Sequence, residues 1–258
     1  MISQLQANRR NTGLLLLGIA LASTLKFIDI SSYQASLNLV AVSSSIRGVI
    51  VKATEGTYYV NPSCDKHYEQ AKGAKLLRGF YHFAGADEPE AEAEYFWNNC
   101  RNYFRDGIPV LDWEGTQSVD WVNRFVRHLK DISGIWCWIY ANPWRFNWGD
   151  VEKNCARWVA SYPNASHPTF AQAAQWDCPS ADGNVVAWQF CSDGRLNGYD
   201  GNLDCSLYYG DDGSWLKYAG SNALDSGNAG SAGGNTGNGS SEAVTLTGGG
   251  YKVTIEKT

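Results

Sequence analysis

Short apolar runs rich in β-branched and aromatic residues alternate along the chain with polar stretches of helix length. The runs fall at 27–30, 48–52, 77–83, 108–112, 135–140, 156–161 and 185–190. Between them, 62–73, 89–104 and 118–132 are long enough for helices, and Pro89 suits a first helical turn, where an N–H would go unpaired anyway. Strand followed by helix, repeated, predicts an α/β fold with parallel strands, and seven or eight strands suit a barrel. After residue 135 the helical stretches thin out, so the last strands are expected to close the fold differently.

The two ends of the chain break this rhythm. Residues 13–22 form an apolar run behind Arg9 and Arg10 that ends in Ala20-Leu21-Ala22, the pattern of a secretory segment with a small-residue cleavage site. The run is shorter than the ~20 apolar residues a membrane span needs. Residues 1–24 are therefore expected to be an export segment or N-terminal extension, with no permanent membrane anchor. Residues 25–218 hold one globular domain, expected to be a monomer. From 219 to 242 Gly, Asn, Ser and Ala dominate, the composition of a flexible linker. Residues 243–258 offer two strand-like pieces, 244–246 and 251–255, with too little apolar surface to fold alone. They read as the stub of a second module.

Composition narrows the function. Of 258 residues, 44% are hydrophobic, enough for a substantial core, and the net charge is -5. Phosphate backbones need a basic face, so a nucleic-acid partner is not expected. The seven Cys form no C-x-x-C pair and His67, His82, His128 and His167 show no metal-ligand spacing, so no metal or cofactor is expected. The cysteines read as mostly buried free thiols, and His82 as a satisfied strand-end residue. Eleven Trp and 14 Tyr supply faces that can fill a core or stack on sugar rings.

The chemistry gathers at strand ends. In Ile108-Pro109-Val110-Leu111-Asp112-Trp113-Glu114-Gly115 an apolar strand meets two acids, and the strand period of two turns both to one side. Their backbones lie about 6.6 Å apart at a rise of ~3.3 Å per residue, a spacing that serves either retaining or inverting glycoside hydrolysis. Each carboxylate raises the other's pKa, and a less hydrated Glu114 is expected to keep its proton while Asp112 stays charged. Further acids end other runs: Asp29, Glu55 and Asp204. In α/β barrels those strand ends build the active site. Aromatic neighbours Tyr33, Tyr58, Tyr81, Tyr140 and Trp188 would complete a cleft suited to an oxocarbenium-like transition state.

Five motifs in order resemble the glycoside hydrolase family 25 lysozymes, the N-acetylmuramidases of bacteria, fungi and phage endolysins. They are Asp29-Ile30-Ser31-Ser32-Tyr33-Gln34, Val51-Lys52-Ala53-Thr54-Glu55-Gly56, Gly79-Phe80-Tyr81-His82-Phe83, Leu111-Asp112-Trp113-Glu114, and Ala187-Trp188-Gln189-Phe190 with Leu203-Asp204. The resemblance runs from about Lys26 to Tyr218. It departs at Ser206, where the family's closing motif usually carries Asn. It implies a modified TIM-like barrel of five β/α units completed by about three further strands, and cleavage of the β-1,4 bond between N-acetylmuramic acid and N-acetylglucosamine in cell-wall peptidoglycan. No metal is implied. By the same resemblance Glu114 is the proton donor, Asp112 supports attack at the anomeric carbon, and Asp29 and Asp204 are flanking acids. Lys52, Tyr81, Tyr140, Trp188 and Gln189 resemble sugar-contacting positions. Retaining, inverting and substrate-assisted mechanisms all stay open. The expected location is extracellular or at the cell wall. Two other readings use the same residues: a non-catalytic wall-binding barrel, and a barrel glycosidase acting on another N-acetylated polymer.

Overall fold

The computed structural model describes residues 24–221 and, in backbone alone, 244–248 and 251–255. The export segment expected over 1–24 falls outside the described residues except at Thr24, and so does the linker expected over 219–242 except at its first three residues. The chain divides into two units, up to Ala223 and from Leu224 onward.

The first unit is built from β1 (Leu25–Ile30), α1 (Leu39–Val42), β2 (Gly48–Glu55), β3 (Tyr59–Val60), α2 (Cys64–Gly73), β4 (Leu77–Phe83), α3 (Pro89–Cys100), β5 (Ile108–Asp112), α4 (Val119–Ser133) and β6 (Trp138–Ala141). A 3-10 turn at Pro143–Asn147, β7 (Arg157–Ala160), α5 (Phe170–Ala173), β8 (Val185–Leu196), β9 (Tyr199–Tyr208) and α6 (Asp212–Tyr218) complete it. Strands β1, β2, β4, β5, β6, β7 and β8 run parallel in that order, and β9 closes the ring antiparallel between β8 and β1. The short β3 only extends β2 as an antiparallel edge. Five strand-plus-helix units, the fifth with a 3-10 turn, are thus followed by three strands, the modified barrel expected above.

Period-two alternation sorts each strand between two layers. Phe27, Ile50, Val110, Trp138, Trp158 and Ala187 pack inside the barrel. Their neighbours Ile28, Val51, Leu111, Ile139, Val159 and Trp188 pack outward against the helices. Helix α4 shows why the outer layer forms: Val122, Phe125, Val126 and Leu129 recur at helical spacing and are buried. Ser118 caps its first turn by accepting from the Trp121 N–H, and Gly134 ends it with φ of 79°, a left-handed conformation glycine adopts without strain.

The barrel's lower end is plugged by α6. Trp215 is buried against Phe27, Trp138 and Tyr208, with ring centroids 5.4, 5.5 and 5.2 Å away, and its indole N–H donates to the Arg78 carbonyl at 2.8 Å. Packing continues past α6: Ala219 is fully buried and the Ser221 hydroxyl donates to the Arg105 carbonyl at 2.5 Å. The first three residues read as linker therefore belong to the barrel unit.

Element ends differ from the sequence reading for local reasons. Helix α2 starts at Cys64 because the Asn61 side chain accepts from the Ser63 N–H and holds 61–63 in a turn. Helix α3 stops at Cys100, and a turn through Tyr103 with Arg105 at φ of 69° leads to β5. Strand β6 begins at Trp138, since Ser133 still accepts from the Ile135 N–H. Strand β8 runs six residues past the expected end and turns through Asn197-Gly198 into β9. All seven thiols are free, six of them buried. Among the described residues no helix is long and apolar enough to cross a membrane.

In the second unit, β10 (Val244–Gly248) and β11 (Tyr251–Ile255) pair antiparallel, where two strand-like pieces were expected.

Candidate active site

Inward positions at the end of the barrel where the parallel strands finish converge on a cavity of about 390 Å³. Asp29 arrives on β1, Lys52 and Glu55 on β2, Tyr81 and Phe83 on β4, Asp112 at the end of β5, Tyr140 on β6, Trp158 on β7, Gln189 on β8 and Asp204 on β9. Glu114, two residues beyond Asp112, lines the same cavity from its rim, while Trp113 between them is fully buried on the other side. The predicted same-side pairing of the two acids is what the structure places.

Their environments reverse one expectation. Asp112 is the buried member, 8% exposed, whereas Glu114 is exposed to solvent. The cause is position, for Asp112 is the last strand residue inside the barrel mouth and Glu114 lies one period further out. Burial pushes the Asp112 carboxyl well above the usual carboxylate range, the Glu114 charge adds to this, and Lys52 opposes it. Asp112 Oδ1 is buried with no hydrogen-bond donor among the described residues.

Asp204 is not at a parallel strand end as expected. It sits within the antiparallel β9, directly across from Asp29 of β1. Burial raises the Asp204 carboxyl to about 7, with Glu114 contributing. Burial likewise raises Asp29, with Asp204 next in effect, and a hydrogen bond from Gln189 pulls the other way. Three aspartates whose carboxyls disfavour charge therefore face one space.

Gln189 organises one wall. Its Nε2 donates to Asp29 Oδ1 at 2.8 Å, and its Oε1 accepts from Tyr140 at 2.7 Å and from Tyr162 at 2.5 Å. On the opposite wall Lys52 Nζ donates to Glu55 Oε2 at 2.6 Å and lies 4.7 Å from the Phe83 ring centroid. Tyr33, 92% exposed, stands at the mouth, while Tyr58 bonds Glu55 outside the cavity. Among the described residues no group of three or more His, Cys, Asp or Glu is placed to hold a metal ion.

The family model "Glycosyl hydrolases family 25" matches residues 28–199, two thirds of the chain, and ends at the first residue of β9, before Asp204. The chain belongs to glycosyl hydrolase family 25. It is 31% identical to the autolytic lysozyme of Clostridium acetobutylicum, an alignment covering 70% of this chain and 54% of that protein. It is also 31% identical to the N,O-diacetylmuramidase of Chalaropsis sp, covering 70% of this chain and 96% of that enzyme. The chain thus spans about half the length of the clostridial relative and nearly all of the fungal one. The crystal structure of the bacterial lysozyme from Streptomyces coelicolor superposes with a TM-score of 0.63 at 28% identity, covering 76% of this chain and 97% of that one.

Within this family 25 barrel, one candidate sugar contact is misplaced. Trp188 alternates with Gln189 on β8, so its indole points to the outer layer, where it is buried and donates to the Ser161 carbonyl at 2.8 Å. Trp158 takes the inward place, and its indole N–H donates to Ser206 Oγ at 3.2 Å. The departure at Ser206 thus supplies a small buried acceptor. His82 is satisfied as expected, with Thr54 Oγ1 at 2.8 Å and Glu92 Oε2 at 2.9 Å, in the outer layer. Tyr162 and Arg145 were missed. Tyr162 was within reach, since the period-two series Trp158, Ala160, Tyr162 continues β7 past its end; Arg145 sits in a 3-10 turn with no periodic signal.

Proposed function

We propose that this chain is a lysozyme that hydrolyses the β-1,4 bond between N-acetylmuramic acid and N-acetylglucosamine in peptidoglycan, with Glu114 as proton donor. The observation that carries the reading is the division of the cleft: three aspartates, Asp29 and Asp112 buried and Asp204 half-buried, faced by one exposed carboxyl, Glu114, on the rim. Glycoside hydrolysis needs a group that gives a proton to the leaving oxygen and a negative surface beneath the anomeric carbon. Glu114 stands on the rim, where a glycan lying across the cleft presents its leaving oxygen. Positive charge building at the anomeric carbon favours ionised aspartates, so the trio is charged when that charge is needed.

Asp112, closest in sequence to Glu114, supports attack at the anomeric carbon; its unpaired Oδ1 suits a substrate N–H or O–H. Asp29 and Asp204 flank it. Lys52, Tyr81, Tyr140 and Gln189 contact sugar from the cavity walls, and Trp188 supports Gln189 from behind. The enzyme works as a monomer on cell-wall glycan, outside the cytoplasm or on release at lysis, with residues 1–24 as export segment and 222–242 as linker.

The first test is turbidity loss of purified cell walls. Glu114→Gln, which keeps the shape of an exposed side chain, is expected to leave circular dichroism unchanged and to slow lysis about 100- to 10,000-fold. Lysis at the wild-type rate would remove Glu114 from the role. A wild-type protein that binds walls without clearing them would make the chain a wall-binding barrel instead.

A further inference from the structure

Two thiols that the cleft does not use meet on the outer side of the strands that close the barrel. Cys191 on β8 pairs directly with Cys205 on β9, and the register shifts on both sides of that pair. From the pair Gln189 and Ser206 to the pair Cys191 and Cys205, β8 advances two residues while β9 advances one, so Phe190 is the extra residue of a bulge. Without it, period two would turn Cys191 inward beside Gln189. With it, Cys191 joins Phe190 and Cys205 in the outer layer. Gly194 leaves room for the sulfurs, since a β-carbon there would run into Cys205 Sγ and lie 3.3 Å from Cys191 Sγ. The two thiols are hydrogen-bonded, and the bond that Cys205 donates lowers the pKa of Cys191.

A disulfide needs α-carbons about 4.4–6.8 Å apart, and directly opposed residues of an antiparallel pair stand about 4.5–5.5 Å apart. The register of β8 against β9 therefore already holds these two within bonding range. Access comes from the side of Cys205, which lines a cavity of about 450 Å³ whose rim residues Lys26, Ser44, Arg195 and Asn197 are exposed. Lys26 and Arg195 bring positive charge to it, and among the described residues no carboxylate lines it. That charge suits a small disulfide bearing carboxylates.

We propose that Cys191 and Cys205 form a thiol–disulfide exchange site that closes into a cross-strand disulfide on meeting a small anionic disulfide of the oxidised glutathione type. Cys205 Sγ bonds to one sulfur of the small disulfide, whose S–S bond breaks and whose other half leaves with the Cys205 proton as a thiol. Cys191 Sγ then attacks Cys205 Sγ, and the second small thiol leaves with the Cys191 proton. The two cysteines lose two electrons and the small disulfide gains them. The hydrogen bond that lowers Cys191 favours the second step, because the thiolate is the attacking form. The new bond ties β8 to β9 one residue from Asp204, which faces Asp29 across β9 and β1. It also closes a loop of about 15 residues in the unfolded chain, which raises the melting temperature by about 5–10 °C.

The test takes the folded full chain, reduced and freed of reductant, exposes it to oxidised glutathione and digests it with trypsin under non-reducing conditions. Cleavage after Arg195 puts the two cysteines on different peptides, and fragmentation separates Cys191 from Cys178 on the first of them. A bond between Cys191 and Cys205 is expected, lost on treatment with dithiothreitol, together with the rise in melting temperature. Cys191→Ser is expected to stop after the first step, holding one glutathione on Cys205 and losing the melting rise. The wild-type map decides by itself if circular dichroism finds that variant unfolded. Both thiols still free in wild type, a bond from Cys205 to Cys178, a glutathione left on wild-type Cys205, or an equal melting rise in folded Cys191→Ser would overturn the proposal.

Discussion

Asp204 faces Asp29 across β9 and β1, and burial together with the nearby Glu114 charge raises its carboxyl to about 7 from an ordinary 3.8. Between those values the native protein keeps a proton that the unfolded chain has released. Its contribution to stability is therefore full below about pH 4 and is lost as pH rises toward 7. Asp204→Asn removes the ionisable group, so at pH 8 it is expected to melt higher than wild type. A gain of about 1 kcal/mol corresponds to roughly 2–4 °C for a chain of this size. At pH 4 calorimetry should find the two proteins alike in this respect; an equal gap at both pH values would contradict the burial account. The identity of such residues was legible in the sequence, because period two puts Asp112 and Glu114 on one face and names which acids can meet. Depth was not. Whether an acid ends inside the barrel mouth or on its rim depends on where the strand stops, and one period moved burial from Glu114 to Asp112. Trp188 failed for the opposite reason: its motif suggested a contact, while alternation with the inward Gln189 already pointed it to the outer layer.

At the scale of elements, direction was the hidden quantity. Alternation looks the same in parallel and antiparallel strands, so nothing in 199–208 marked β9 as reversed except its link to β8 through Asn197-Gly198, a favoured two-residue hairpin turn, with Leu196 paired to Tyr199. Gly198, at φ of 102°, holds a conformation that a side chain would strain. Helix α6 was hidden too, since seven residues give too short a period to read. It nonetheless seals the end of the barrel opposite the cleft, with Trp215 buried among three rings and Asp212 bonded to Arg47 at 2.5 Å. Trp215→Ala is expected to cost about 3–5 kcal/mol in urea unfolding, the range for emptying a buried aromatic site. The protein still folded at low urea should keep its activity, because the cavity lies at the other end. A loss below about 1 kcal/mol would mean that the plug is not part of the folding unit.

For the whole molecule, the barrel class was legible because strand runs alternate with three helix-length stretches before the pattern thins past residue 135, whereas the count of five units and three closing strands came from the family resemblance. The boundary of the unit was less so: small residues read as linker, yet Ala219 packs in the inner cluster and Ser221 is tied to Arg105. Ending the chain after Ser221 is therefore expected to leave the melting temperature of the barrel unchanged, while ending it after Tyr218 lowers it by several degrees. Equal melting of the two would show that residues 219–221 add nothing. The central claim concerns which bond this family 25 barrel breaks, and the reducing ends it creates report that directly. Purified peptidoglycan digested by the full chain, reduced with borohydride and resolved by mass spectrometry should carry new muramic acid at its reducing ends, with Glu114→Gln yielding almost none. New reducing-end glucosamine, or muramic acid ends formed equally well by Glu114→Gln, would contradict the account.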